Sequence, residues 1–470
     1  MPLVPWPLEP EPAELRRWID RCAEFVVEHV GSLADQPSWD VEGAAELAAS
    51  FTGPPPESGV PLEQVLARLG PAVAKSFNTA GPGYLAFIPG GGIPSSALAE
   101  FLGQAVNRYV GMNAAAPVLA RIEALVVEWL AGLMGYPPTA GGVLTTGGSL
   151  SNLIAVVTAR AAKLPENFLD GTLYVSEECH VSVSKAARIA GFPERAVRRV
   201  PVDARYRLVP AALEAAIVAD RQHGLRPFLV VPSVGTTNTG AIDPLPEILA
   251  IARRHDLWVH ADAAYGGFFR LVPDGAARMP GLEACDSITL DPHKGLFLPY
   301  GTGCLLAREP QRLLAAHRGG AGYLQDVAAA PGAMNFADIS PELSREFRGL
   351  RLWLPLVLHG LEPFRRQLAE KLELARWAYD ALRDDPRVTM LDAPQLSIVA
   401  FDAGPIGPEL QRRVNARRRV FLSSSSIGGR YVLRLCVLSF RTHQDRIAAA
   451  VEAIREEAAA LTPAGDPTGR

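Results

Sequence analysis

Lys294 stands in the segment SITLDPHKG, and Asp262 lies 32 residues earlier in LWVHADAAYGG. Each segment is an apolar strand-like run ending in polar groups, which brings both side chains to the same edge of one sheet. An amine able to form a Schiff base, paired with a carboxylate able to keep a pyridine nitrogen protonated, is what pyridoxal 5'-phosphate (PLP) requires of a protein. Lysine occurs only at Lys75, Lys163, Lys185, Lys294 and Lys371, among 46 basic residues. A lysine directly after a histidine at the end of a buried strand therefore stands apart. Taken singly, Lys294 reads as a strand-end lysine reaching solvent and Asp262 as a capping aspartate. Together they point to the cofactor.

Other motifs could complete such a site. TTGGSLSNLIAV follows a strand and opens a helix. Gly147 and Gly148 allow a tight turn there, while Ser149 and the first backbone N–H groups make a favourable seat for a phosphate dianion. A plain strand–turn–helix with Ser or Asn capping is the alternative. VPSVGTTNTGAID sets Gly235, Thr236 and Thr237 after another buried strand, either as an ordinary turn or with Thr237 as a phosphate or ring-hydroxyl contact. His180, in YVSEECHVSVSKAA, could stack on a pyridine face or simply cap the next helix. His293 precedes Lys294 and can touch the same ligand.

The elements that must position these residues alternate. Strand-like runs GVLTT, TLYVS, FLVVPSV, LWVHAD, SITLD and GCLLA are separated by helical stretches 152–162, 210–223 and 245–255. This pattern implies βαβ units and a mostly parallel sheet covered on both faces. Ligands of such sheets collect at the carboxyl ends of the strands. An N-terminal helix over 13–33, a Pro/Gly-rich linker over 52–61, helices over 340–385 and a smaller α+β domain from about 386 complete the reading. We expect an N-terminal helical segment over 1–85, a large α/β domain over 86–365 and a small C-terminal α+β domain over 366–470.

Composition excludes several classes. With 470 residues, 48% hydrophobic and 20% charged, the chain is globular and long enough for a large and a small domain. A net charge of -4 offers no footprint for nucleic acid. No apolar run reaches the roughly 20 residues that span a bilayer. The acidic, proline-rich start MPLVPWPLEPEPAELRRW is unlike a secretory signal. Five scattered cysteines without CxxC spacing favour a reducing cytoplasm and no metal site.

The ordered set GGS, CHVSV, GTT, HADAAY and SITLDPHKG, with APVLARIE, SREFRGLRLW and VLRLCVLSFRT, closely resembles the group II PLP-dependent amino acid decarboxylases. That family includes the aromatic-L-amino-acid, histidine and glutamate decarboxylases. The resemblance runs from about residue 10 to 460. It implies the type I fold of PLP-dependent transferases (aspartate-aminotransferase-like) and a homodimer with its active site at the interface. By the same resemblance, Lys294 is the Schiff-base lysine and Asp262 the partner of the ring nitrogen. Ala264 would pack under the ring and His180 above it, with Gly148, Ser149, Thr237 and His293 around the phosphate. The family's lid loop carries a tyrosine that protonates the carbanion left by loss of carbon dioxide; HRGGAGYLQD puts Tyr323 there, an exposed loop tyrosine being the alternative. Relatives with phenylalanine at that place tend to be oxidative aldehyde synthases.

The substrate wall departs from the family's aromatic enzymes. Thr79 stands where they have tryptophan, Gly90 where a pocket threonine is expected, and Ser344 where they have glycine and histidine decarboxylases have serine. Asp291 replaces the asparagine common before Pro-His-Lys. Phe87 and Ile88 keep the wall apolar, and Tyr109 could reach a substrate ring from the neighbouring subunit. Arg108 is the one nearby cation for an acidic substrate, and reads better as a surface or interface arginine. An aromatic L-amino acid is the expected substrate. The alternatives are another L-amino acid such as histidine or glutamate, a decarboxylating oxidase, or a PLP-binding protein without turnover.

Overall fold

The computed structural model describes residues 8–319 and 334–462. Seven strands form the central sheet: β2 (Gly141–Thr145), β3 (Gly171–Ser176), β4 (Val197–Val200), β5 (Arg226–Val231), β6 (Trp258–Asp262), β7 (Ser287–Leu290) and β8 (Gly303–Ala307). Their order is β2-β8-β7-β6-β5-β3-β4. Strand β1 (Tyr84–Leu85) belongs elsewhere. Only β8 runs against its neighbours β2 and β7; the remaining pairs are parallel. The strands β3, β6, β7 and β8 are buried along their length, as expected of strands covered by helices on both faces. Leu144, Tyr174, Val230, Val259, Ile288 and Leu306 put the sheet at the centre of the largest hydrophobic core.

The direction of the strands decides where chemistry can happen. The loops after β2, β3, β5, β6 and β7, and the one leading into β8, emerge at a single edge. Helix Gly148–Lys163 follows β2 and returns across the sheet, and helix Val181–Ile189 follows β3.

The second sheet has the order β1-β11-β12-β10-β9, with β9 (Thr389–Met390), β10 (Ile398–Asp402), β11 (Phe421–Ile427) and β12 (Arg430–Cys436). Val399, Phe401, Leu433 and Leu435 pack on helices Glu362–Leu382 and Gln444–Leu461 to form its core. Strand β1 pairs in parallel with Phe421–Leu422, so an early segment of the chain completes a sheet made by its last hundred residues. Pro355 sits inside helix Gly349–His359 without ending it. Among the described residues no helix is long and apolar enough to cross a membrane.

One buried ion pair ties β2 to the helical layer. Arg345 and Glu123 are both fully buried and meet at 2.6 Å. Arg345 also donates to the Leu144 carbonyl at 3.0 Å, and Glu123 accepts from the Gly349 N–H at 3.0 Å. Removing one partner strands the other's charge in the core. We expect Arg345→Ala to lower the unfolding free energy by about 3–5 kcal/mol, measured by chemical denaturation.

Candidate active site

A cavity of about 360 Å³ opens at the carboxyl edge of the large sheet, within the size range of small-molecule sites. Gly148, Ser149, His180, Thr237, Asp262, Ala264, His293 and Lys294 all line it. They come from the ends of five strands, β2, β3, β5, β6 and β7, or from the turns beyond them. Phe87, Ile88, Tyr109 and Ser344 do not line this cavity. Phe87 and Ile88 follow β1, and the Tyr109 hydroxyl donates to the Leu343 carbonyl at 2.7 Å, beside exposed Ser344. Tyr323 lies outside the described residues.

At the far side of the cavity the turn after β2 approaches a bare helix start. Gly147 has φ +153°, a conformation reserved for glycine. A Cβ on Gly148 would come within 3.0 Å of Asp291 and 3.3 Å of the Ala264 methyl. The first helical bonds run from the N–H groups of Leu150 and Ser151 to the Gly147 carbonyl, so those of Gly148 and Ser149 precede them and can face an anion.

Asp262 ends β6 and is buried. Its Oδ1 accepts from the Ala264 N–H at 3.2 Å and its Oδ2 from the Asn152 amide at 3.0 Å. Because Asn152 donates to a carboxylate, its own oxygen must face the other way. That oxygen accepts from Thr289 at 2.8 Å and from His260 Nε2 at 3.0 Å. His260 Nδ1 then accepts from the Ser287 hydroxyl at 2.8 Å, and Ser287 accepts from the Trp258 indole at 2.9 Å.

The same amide group reaches the cavity's other wall. Asn152 donates to Ser182 Oγ at 2.9 Å, and Ser182 sits 2.8 Å from His180 Nδ1. The Ser182 N–H also points at that nitrogen, at 3.2 Å, so His180 caps helix Val181–Ile189 while lining the cavity. With Nδ1 accepting, neutral His180 carries its proton on Nε2. Loss of water on its protein side lowers its proton affinity, opposed chiefly by the Asp262 carboxylate. His293 Nδ1 donates to the Thr302 carbonyl at 2.7 Å, and burial shifts it in the same direction.

Lys294 Nζ lies 2.9 Å from Asp291 Oδ2. The set therefore fits PLP: an amine and a buried, firmly held carboxylate face one cavity, with a side-chain-free helix start where a phosphate would lie. Sequence reading overlooked Asn152 and Ser182 as site residues, and also Tyr300. The Tyr300 phenol lines the cavity beside the His293 ring, 5.8 Å away between centroids, and bonds Thr79. Gly90 also acquires a reason: a Cβ there would sit 1.9 Å from the His293 carbonyl oxygen, so a threonine cannot enter without moving the Lys294 turn.

The pyridoxal-dependent decarboxylase conserved domain matches residues 56–403. The chain belongs to that family. The decarboxylase is 31% identical to aromatic-L-amino-acid decarboxylase of Bacillus atrophaeus over 96% of this chain and 97% of that protein. It is 27% identical to tryptophan decarboxylase 1 of Oryza sativa subsp. japonica, over 94% and 93% of the two chains. The solved structure of Oryza sativa TDC with PLP and tryptamine superposes with a TM-score of 0.92 at 25% identity, covering 98% of this chain and 100% of that one. Mouse CSAD superposes at 0.87, also at 25% identity, over 96% and 99%. The fold is thus the type I fold of PLP-dependent enzymes, and the protein is a PLP-dependent carboxy-lyase acting on an amino acid.

The decarboxylase should lose stability in acid through its buried network. Burial pushes His260 down to about 4 from an ordinary value of 6.5. Between those values the unfolded chain binds the proton that the folded chain refuses, so stability falls as pH drops through this window. The contribution of His260 alone reaches about 3 kcal/mol. Unfolding free energies measured from pH 7 to 4 should show this slope, and His260→Gln should flatten it. Asn152→Ala should weaken PLP binding at least about tenfold, since one lost hydrogen bond to a charged group is worth about 1.5–3 kcal/mol; a fluorescence titration reads it.

Proposed function

We propose that this decarboxylase removes the α-carboxylate of an aromatic L-amino acid, with Lys294 holding the cofactor covalently and Asp262 serving its ring nitrogen. The observation that carries the assignment is the convergence of the Lys294 amine, the doubly held Asp262 carboxylate and the Gly147–Ser149 helix start on one cavity. The names of relatives support the substrate class: aromatic-L-amino-acid, tryptophan and tyrosine decarboxylases.

When bound, the pyridine ring supplies an electron sink for the pair released as the Cα–carboxylate bond breaks. The chain's residues do the rest. Asp262 would keep a proton at the ring nitrogen, which makes the ring electron-poor. His180, in the same cavity, would offer its Nε2 proton, and the small Ala264 would leave room for the cofactor. Gly148, Ser149, Thr237 and His293 would hold the phosphate end. Tyr323 delivers the proton to Cα, and a tyrosine at that place favours amine over aldehyde.

Of the substrate wall, the exposed residues Phe87, Tyr109 and Ser344 act across a homodimer interface, while Ile88 is buried in its own chain's core. These four residues lie off their own chain's cavity, and Phe87 and Tyr109 are exposed at 55% and 39%. Leu98, Phe101, Leu102 and Val106 extend an exposed apolar strip along the neighbouring helix, of the kind that a symmetric partner covers. The cysteines of the described residues are all unpaired, which supports a cytoplasmic setting.

The test is carbon dioxide release from each standard L-amino acid with added PLP. Release from tryptophan, tyrosine or phenylalanine is expected; release confined to glutamate or histidine replaces the substrate class, and none at all overturns decarboxylation. Lys294→Ala should abolish the visible absorption of bound cofactor and lower kcat on the order of a thousandfold or more. Tyr323→Phe should slow amine formation about a hundredfold or divert product to aldehyde, and unchanged amine kinetics would remove Tyr323 from the scheme.

A further inference from the structure

Asp291 is a buried carboxylate at the phosphate end of the cavity, and one of its oxygens has no partner. The side chain is 3% exposed. Its Oδ2 takes the Lys294 ammonium at 2.9 Å and lies 3.7 Å from His293 Nε2. Its Oδ1 is buried without a hydrogen bond. Both oxygens lie about the helix start, 3.0 and 3.3 Å from where a Gly148 Cβ would be. A buried oxygen left unpaired is destabilising, and such an atom beside a ligand cradle marks a contact that the ligand completes.

The charges then decide the form of that contact. In the cofactor-free chain the Lys294 ammonium balances Asp291. Lys294 must shed its ammonium proton before its nitrogen can bond the cofactor's aldehyde carbon, whose oxygen leaves as water, so this ion pair is lost while a phosphate arrives next to the carboxylate. Two anions cannot share a buried cradle without a proton between them. Apart from Lys294, the groups facing Asp291 do not supply one. His293, on the same turn, already donates from Nδ1 to Thr302, and burial disfavours a second proton on its ring. His180, beyond β3, is shifted the same way, and the Cys304 thiol of β8 is held protonated by burial first and then by the charges of Glu123 and Asp291. Asp262, at the end of β6, adds negative charge. Only the helix start and Lys294 offset it.

We propose that Asp291 takes up a proton as the cofactor enters and donates it from Oδ1 to a phosphate oxygen, making cofactor capture by this enzyme proton-coupled. This rests on the phosphate placement proposed above. A proton gained on binding makes affinity fall as pH rises, by up to tenfold per pH unit while the free side chain is ionised.

Cofactor-free protein is titrated with PLP, and with pyridoxal, which lacks the phosphate. Calorimetry in two buffers of different ionisation enthalpy counts the protons taken up. The wild type should bind one more proton with PLP than with pyridoxal near pH 8. Asp291→Asn, of the same shape but neutral, should abolish that difference and bind PLP at least tenfold tighter than wild type at pH 8.5. Asp291→Ser, neutral and smaller, should also lose the extra proton, which separates charge from packing. An unchanged proton count in both variants would overturn the proposal. The underlying site reading fails differently: the visible band of bound PLP would then be missing from the wild type, or would survive in Lys294→Ala.

Discussion

Asp262 can serve a pyridine nitrogen only if it remains both buried and fixed, and Asn152 meets both requirements. A carboxylate taken out of water must be given donors. Here one is the backbone N–H of Ala264 and the other is the Asn152 amide. The amide cannot turn over, because its oxygen is held by Thr289 and His260 while its nitrogen faces two acceptors, Asp262 and Ser182. The geometry extends further. Asn152 lies four residues beyond Gly148 on one helix, a rise of about 6 Å. A single helix thus sets the spacing between the bare helix start and the Asp262 carboxylate, the two groups proposed to hold the ends of the cofactor.

This arrangement explains why the cofactor half of the site was legible from sequence and its support was not. Lys294 and Asp262 announce themselves through residue type at strand ends, and alternation of strands and helices fixes which edge those ends share. The strands between 141 and 307 follow the apolar runs closely, except β4, whose VRRV carries two arginines and reads as a loop. The β11 strand hides in a run of serines, and β1 is only two residues long. Asn152 looked like one more polar residue in a helix. Its partners are 30 to 137 positions away, and only the register that sets His260 beside Ser287 brings them together.

The proposed substrate wall obeys a different rule. Its residues come from segments outside the βαβ order, so residue type alone could not place them. The entrance segment 86–93 is pinned through its backbone: Ile93 N–H donates to the Phe297 carbonyl at 2.7 Å, and Gly90 lies against the His293 carbonyl. Arg434, on β12 and 3% exposed, donates to the carbonyls of Phe87, Thr237 and Asn238. One guanidinium therefore joins the small sheet, the turn after β5 and the entrance.

Grips on backbone carbonyls are indifferent to the side chains they carry. Thr79 and exposed Phe87 can therefore change without loosening the segment, whereas Gly90, Arg434 and the core residue Ile88 cannot. Selection for a new substrate would act on the former set and leave the cofactor's surroundings undisturbed. The departures of this chain fall on both sides of that division: Thr79 and Ser344 alter the outer wall, Thr79 while bonding the Tyr300 phenol, and Gly90 sits where the His293 carbonyl leaves no room for a side chain. Asp291 is a different case. It lies inside the cofactor half, buried and charged, so its effect falls on how the cofactor is held rather than on which amino acid enters.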